Sequence, residues 1–223
     1  MAGGAAFVVQ CYGDSLTAGY TDGGRSFHPY KIALAHALEA QGLRVDVRAT
    51  GLSGWTARDL VGAADKESIE LQGFANYTGP RNGLRYLLAS EPASLCIILA
   101  GTNDLSCYYA PDAIAASIWS LHTMAHERGV RTVAIAVPEA SYHHGNLTAA
   151  AERDAINALL RERCEGGLCT YFPFPMGWSE GSAHWDDGLH LSPAGYDALG
   201  CALAPTVLSA LAAPALPTSG PAP

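Results

Sequence analysis

Ser15 stands in GDSLTAGY directly after an apolar run, and His190 stands in DDGLHLSPAGY near the other end of the chain, three residues after Asp187. A serine hydroxyl is a weak nucleophile until a base removes its proton, and an imidazole held by a carboxylate is well suited to do so. The spacing lets Asp187 bind one ring nitrogen of His190 in a compact turn and leaves the other for the serine. Asp186 is a rival orienter with a different direction in the turn. Two more motifs offer donors: ATGLSGWT, where Gly51 and Gly54 bring backbone N–H groups forward, and GTND, where Asn103 carries a carboxamide. The N–H groups of Ser15 and Gly54 and the Asn103 NH₂ form a set able to surround a developing oxyanion, so the implied chemistry is acyl transfer. Each residue also has an ordinary reading alone: a helix cap, a turn glycine, an Asx-turn asparagine, a loop histidine. Their coincidence at successive strand ends favours the chemical one.

The elements that must position these residues follow from periodicity. Short β-rich runs at 6–12, 43–49, 94–100, 132–137 and 168–172 alternate with helical patterns at 30–40, 112–128 and 148–163. A last helix is expected over 193–211, capped by Ser192 with Pro193 in its first turn. This alternation predicts an α/β fold, a three-layer α/β/α sandwich around a five-stranded parallel sheet in flavodoxin-like order, because crossovers are right-handed. Ligands of such sheets bind outside the carboxyl ends of the strands, where the unusual loops fall. No repeat or linker marks a second domain, so residues 1–212 are read as one domain and 213–223 as a flexible tail.

With 223 residues, 49% of them hydrophobic and 15% charged, the chain has enough apolar surface to fold without disulfide or metal staples. Its net charge of −8 offers no basic stripe for nucleic acid or an anionic membrane. The apolar windows at 6–9 and 95–100 are too short to span a bilayer, and no integral membrane segment is expected. The start MAGGAAFVVQCYGD has no basic n-region, so a mature cytoplasmic chain is expected. Most of the six cysteines read as small core hydrophobes. Cys164 and Cys169 bracket EGGL and are placed to bond each other, though a reducing compartment disfavours it. His122 and His126 have i,i+4 spacing but no intervening HExxH glutamate, so they read as a solvated helix face rather than a metal site. No metal and no cofactor are expected.

GDSLT, the glycine of GLSG, GTND and DGLH occur in the order found in one family. From Phe7 to about Leu208 the chain resembles the SGNH hydrolases, also called GDSL esterases and lipases. The resemblance implies Ser15 as nucleophile, His190 as general base and Asp187 as orienting acid, with Ser15, Gly54 and Asn103 forming the oxyanion hole. Relatives often carry Asn and Asp where this chain has Ala49 and Trp55, which makes Gly51 an alternative to Gly54. The ordinary α/β-hydrolase is set aside, since its GxSxG elbow needs glycine where Thr17 stands. The expected partner is a small to medium ester, because no lid segment is apparent. An acyltransferase using the same site, or a binding module without catalysis, is the alternative. Asp14, Trp55, Tyr142, His143 and Trp185 are candidate substrate contacts. The aromatics Phe172, Phe174, Trp178 and Trp185 suggest an apolar rim or core packing beneath a long loop.

Overall fold

The structure, a computed structural model, describes residues 6–71 and 76–213. The tail expected from residue 213 lies, apart from its first residue, outside the described residues. Five parallel strands form the sheet: β1 (Phe7–Gly13), β4 (Val45–Gly51), β5 (Leu95–Leu99), β6 (Arg131–Ile135) and β7 (Cys169–Phe172). Their order, β4-β1-β5-β6-β7, is the expected flavodoxin-like one, in which the chain first builds one edge and then returns past β1 to build the other. A two-stranded hairpin, β2 (Tyr20–Thr21) and β3 (Ser26–Phe27), lies outside this sheet.

Alternation along the strands divides the core. On β5, Leu95, Ile97 and Leu99 point into one apolar cluster while Cys96 and Ile98 point into the other, so the strand is buried on both faces. The first cluster is closed by α2 (Lys31–Ala40) and α8 (Pro193–Ala212), which pack on each other through Leu34, Leu38, Leu199 and Leu203. The second is closed by α3 (Ala57–Gly62), α4 (Leu84–Ser90), α6 (Pro111–His126) and α7 (Leu147–Cys164), with Leu60, Leu84, Ile118 and Leu160 inside it. Two short helices, α1 (Ser15–Ala18) and α5 (Thr102–Ser106), start directly beyond β1 and β5.

Helix α8 is twenty residues long with a mean hydropathy of 1.2, apolar enough by length and composition to cross a membrane, which the short windows considered in the sequence did not reveal. Its apolar side is committed to the sheet: Tyr196, Leu199, Leu203 and Val207 are all fully buried. Its start is as expected, with Ser192 Oγ accepting from the Gly195 N–H at 3.2 Å.

One sequence expectation is corrected here. His122 and His126 do not form a solvated face: His122 is fully buried, and His122 Nδ1 and His126 Nε2 both hydrogen-bond Thr132 Oγ1, at 2.8 and 2.9 Å. An i,i+4 pair with a strand threonine opposite can turn inward because the one hydroxyl meets a nitrogen of each ring. Among the described residues no group of three or more His, Cys, Asp or Glu is arranged to hold a metal. Of the cysteines, Cys11, Cys96, Cys164 and Cys169 are buried free thiols, but Cys107 and Cys201 are exposed.

Candidate active site

The turn that carries Ser15 is built by close packing. Gly13 ends β1 and Gly51 ends β4, paired in register. A Cβ on Gly51 would lie 2.1 Å from the Ala18 backbone nitrogen, so α1 is seated where only glycine leaves room. Asp14 caps α1, its Oδ1 accepting from the Leu16 N–H at 3.0 Å. Ser15 thus begins a one-turn helix at the carboxyl edge of the sheet, and its N–H has no acceptor among the described residues.

From the other end of the chain, Ser15 Oγ is met by His190 Nε2 at 3.0 Å, while His190 Nδ1 faces Asp187 Oδ2 at 2.9 Å. The second oxygen of Asp187 accepts from the backbone N–H groups of Leu189 and His190 at 2.7 and 2.6 Å, so the carboxylate is fixed by its own turn. Burial raises the Asp187 carboxyl, but the His190 backbone N–H, the His190 ring and the Leu189 N–H outweigh it and hold the group below its usual range. A carboxylate facing Nδ1 places the proton of the neutral ring there and leaves Nε2 free to accept from the serine. Asp186, the rival orienter, is engaged elsewhere: its Oδ2 accepts from the Asp22 N–H at 2.7 Å.

The donors expected around the oxyanion sit in adjacent loops. Gly54 has φ +80°, is exposed, and its N–H has no acceptor among the described residues. Gly51 is no substitute, because its N–H donates to Tyr77 Oη at 3.1 Å. Asn103, on α5, donates one Nδ2 hydrogen to the Trp55 carbonyl at 2.8 Å and keeps its second. Asp104 beside it accepts from the Ala57 N–H at 2.8 Å and reinforces the Thr56 cap of α3, so the GTND and GLSGWT loops are laced together.

Of the candidate substrate contacts, Asp14, His143 and Trp185 are buried. Asp14 is fully enclosed as the α1 cap, His143 Nδ1 accepts from the Ala140 N–H at 2.8 Å, and Trp185 Nε1 donates to the Gly177 carbonyl at 3.0 Å. These contacts hold all three side chains within the protein, although Asp14 Oδ2 and His143 Nε2 keep no hydrogen-bond partner among the described residues. Trp55 is half-buried and Tyr142 exposed. Phe172 and Trp185 belong to the core, with Phe174 and Trp178 packed against it, so the aromatic loop is core and not rim.

Three positions escaped the sequence reading. The Tyr20 ring stacks on His190 with centroids 4.2 Å apart, Tyr196 Oη holds the Tyr20 carbonyl at 2.8 Å, and the Ser141 N–H donates to the Gly188 carbonyl at 2.7 Å beneath the base loop. An aromatic five residues after a serine carries no signal of stacking on a histidine 170 positions away.

Burial pushes the Asp14 carboxyl up to about 7, with the nearby Asp104 charge adding to it. The folded value lies above the unfolded one, so this group's contribution to stability is complete below about pH 4 and is lost as the pH climbs through about 7. Asp14→Asn will therefore flatten the pH dependence of urea stability between about pH 4 and about pH 7, removing a slope of up to about 1.4 kcal/mol per pH unit. Parallel curves for the two proteins would contradict this.

A parallel sheet in this order, with a serine, a histidine and an aspartate hydrogen-bonded in series at its carboxyl edge, defines the class of ester hydrolases built on an α/β/α sandwich. Residues 11–198 match the model of the GDSL-like lipase/acylhydrolase family, and the chain belongs to that family and is a carboxylic ester hydrolase. No curated protein sequence matches it. Solved structures of the same fold include Est24, a carbohydrate acetylesterase from Sinorhizobium meliloti, with 23% identity, TM-score 0.66, and coverage of 91% of this chain and 99% of that one. The M. smegmatis aryl esterase gives 21% identity and TM-score 0.64, over 92% of this chain and 99% of that one. A carbohydrate esterase family 3 member from Talaromyces cellulolyticus gives 15% identity and TM-score 0.66, over 92% and 98%.

Proposed function

We propose that the protein hydrolyses small to medium carboxylic esters through an acyl-enzyme on Ser15. The observation that carries this reading is the unbroken series Ser15 Oγ, His190, Asp187 with contacts of 3.0 and 2.9 Å. His190 Nε2 takes the hydroxyl proton as Ser15 Oγ attacks the ester carbonyl, and Asp187 stabilises the imidazolium that forms. The tetrahedral oxyanion is met by the N–H groups of Ser15 and Gly54 and by the free Asn103 Nδ2 hydrogen. His190 protonates the departing alcohol, and water repeats the sequence on the acyl-enzyme.

An open groove of about 630 Å³ starts at Gly54 and Trp55 and runs past Arg58, Asp59, Gly62 and Lys66. Its charged lining suits a polar alcohol portion, such as a sugar, better than a long acyl chain. The names of the structural neighbours, acetylesterases of carbohydrates and aryl esterases, point to the same short-acyl class. A panel of p-nitrophenyl esters of increasing chain length, together with acetylated sugars, tests this: turnover is expected to be fastest for acetyl esters. Turnover that rises steadily with chain length would overturn the short-acyl assignment.

Asn103→Ala is expected to lower kcat by about two to three orders of magnitude with little change in KM, because the donor acts on charge that develops after binding. Steady-state kinetics near the wild-type kcat would remove Asn103 from the oxyanion hole.

A further inference from the structure

At the amino edge of the sheet, far from the strand ends that carry Ser15, α7 ends at Cys164 and β7 begins at Cys169. Only EGGL separates them, and Gly167 at φ +81° lets the chain reverse. The two Sγ atoms are 2.8 Å apart, and both residues are free, nearly buried thiols. His122 Nδ1 lies 3.8 Å from Cys169 Sγ, with Thr132 Oγ1 on the same nitrogen at 2.8 Å. Cys164 Sγ–H donates to Cys169 Sγ. That hydrogen bond is the largest influence on both groups: it lowers the Cys169 thiol, against the effect of burial and helped by His122, and raises the Cys164 thiol.

Nothing in the ester chemistry uses this pair. We propose that Cys164 and Cys169 form an oxidation site that a hydroperoxide converts to an internal disulfide tying the end of α7 to the start of β7. Hydrogen peroxide, the smallest hydroperoxide, suits the site, because both thiols are buried beneath a short exposed loop.

The Cys169 thiolate attacks one peroxide oxygen, the O–O bond breaks, and hydroxide leaves to take the Cys164 thiol proton as water. Cys169 is then a sulfenic acid. The Cys164 thiolate attacks its sulfur, the S–S bond forms, the S–O bond breaks, and the second hydroxide takes up the proton that Cys169 had earlier released. In sum the two thiols give up two electrons and two protons, and the peroxide is reduced to two waters. The disulfide closes a short loop and is expected to raise Tm by roughly 5 °C. Ester turnover should stay unchanged, since the pair stands at the opposite edge of the sheet from the triad.

The test uses the full chain, reduced with dithiothreitol, desalted, titrated with hydrogen peroxide, quenched in acid and alkylated under denaturing conditions. Mass spectrometry of the peptide carrying both residues is expected to show the loss of two hydrogens and no alkyl group, reversed by dithiothreitol, at peroxide doses that leave exposed Cys107 and Cys201 alkylatable. In Cys164→Ser, whose hydroxyl can still donate to Cys169 Sγ but cannot form a disulfide, Cys169 is expected to stop at the sulfenic acid and be captured by dimedone. Alkylation of both thiols at doses that oxidise Cys107 and Cys201 would overturn the proposal. So would a Cys164→Ser protein that captures no dimedone, or zinc carried through purification that shields both sulfurs.

Discussion

Ser15→Ala will lower kcat for a short ester by about six orders of magnitude, to a rate set by binding and the remaining oxyanion donors. The Oγ atom 3.0 Å from His190 Nε2 is the one hydroxyl that the base can reach in this series, and without it no covalent intermediate forms. His190→Ala should cost about as much. The double variant should lose no more than either single one, because nucleophile and base act as one unit and removing the second part of a broken unit changes nothing. Stability serves as the control: Ser15 is buried, and exchanging a hydroxyl for hydrogen there leaves the Asp14 cap of α1 in place. Stopped-time assays with p-nitrophenyl acetate and a urea melt of each variant check both halves. A Ser15→Ala protein that is folded and within tenfold of wild type would contradict the assignment.

Asp187→Asn carries the second-largest effect, about four orders of magnitude in kcat. The substitution keeps an oxygen to accept the Leu189 and His190 backbone N–H groups, so the turn survives. What changes is the partner of His190 Nδ1: an amide NH₂ in place of Oδ2 donates to that nitrogen and forces the proton onto Nε2. The ring then points a donor at Ser15 Oγ and has no lone pair with which to act as base. The carboxyl itself is depressed below its usual range, so its contribution to folding is present above the unfolded carboxylate range and fades only as the pH falls through the lower folded value. Loss of activity in Asp187→Asn with a somewhat lower urea midpoint at neutral pH, the difference from wild type shrinking as the pH falls through the carboxylate range, is the expected pair of results. A loss of less than tenfold would assign orientation of His190 to some other group.

The long elements were legible because their signals are local. The continuous apolar run of β5 and the three-to-four spacing of α6 and α7 are each local patterns, and the structure moves their ends by only one or two residues. The strand expected at 43–49 lies at Val45–Gly51 instead, because the Leu43 N–H is still bonded to the Leu38 carbonyl in the turn that closes α2. Helices α1, α3, α4 and α5 are too short for periodicity to reveal and are held by caps and long-range contacts, such as Asp104 on the Ala57 N–H. In the site, residues that act through motif spacing were readable. Those whose role is spatial were not: Asp14 looked available beside Ser15 yet is sealed in as a cap, and Tyr20 gave no hint of its place on His190. Aromatic composition misled for the same reason, since Trp185 reads alike whether it faces a ligand or, as here, the core.

Acid quenching during turnover of an acetyl ester, followed by peptide mass spectrometry, addresses the covalent step without intermediaries. The account predicts the mass of one acetyl group on Ser15, absent in Ser15→Ala and lost on return to neutral pH. An acetyl group located on another residue, or a fully active enzyme that never carries one on Ser15, would contradict it.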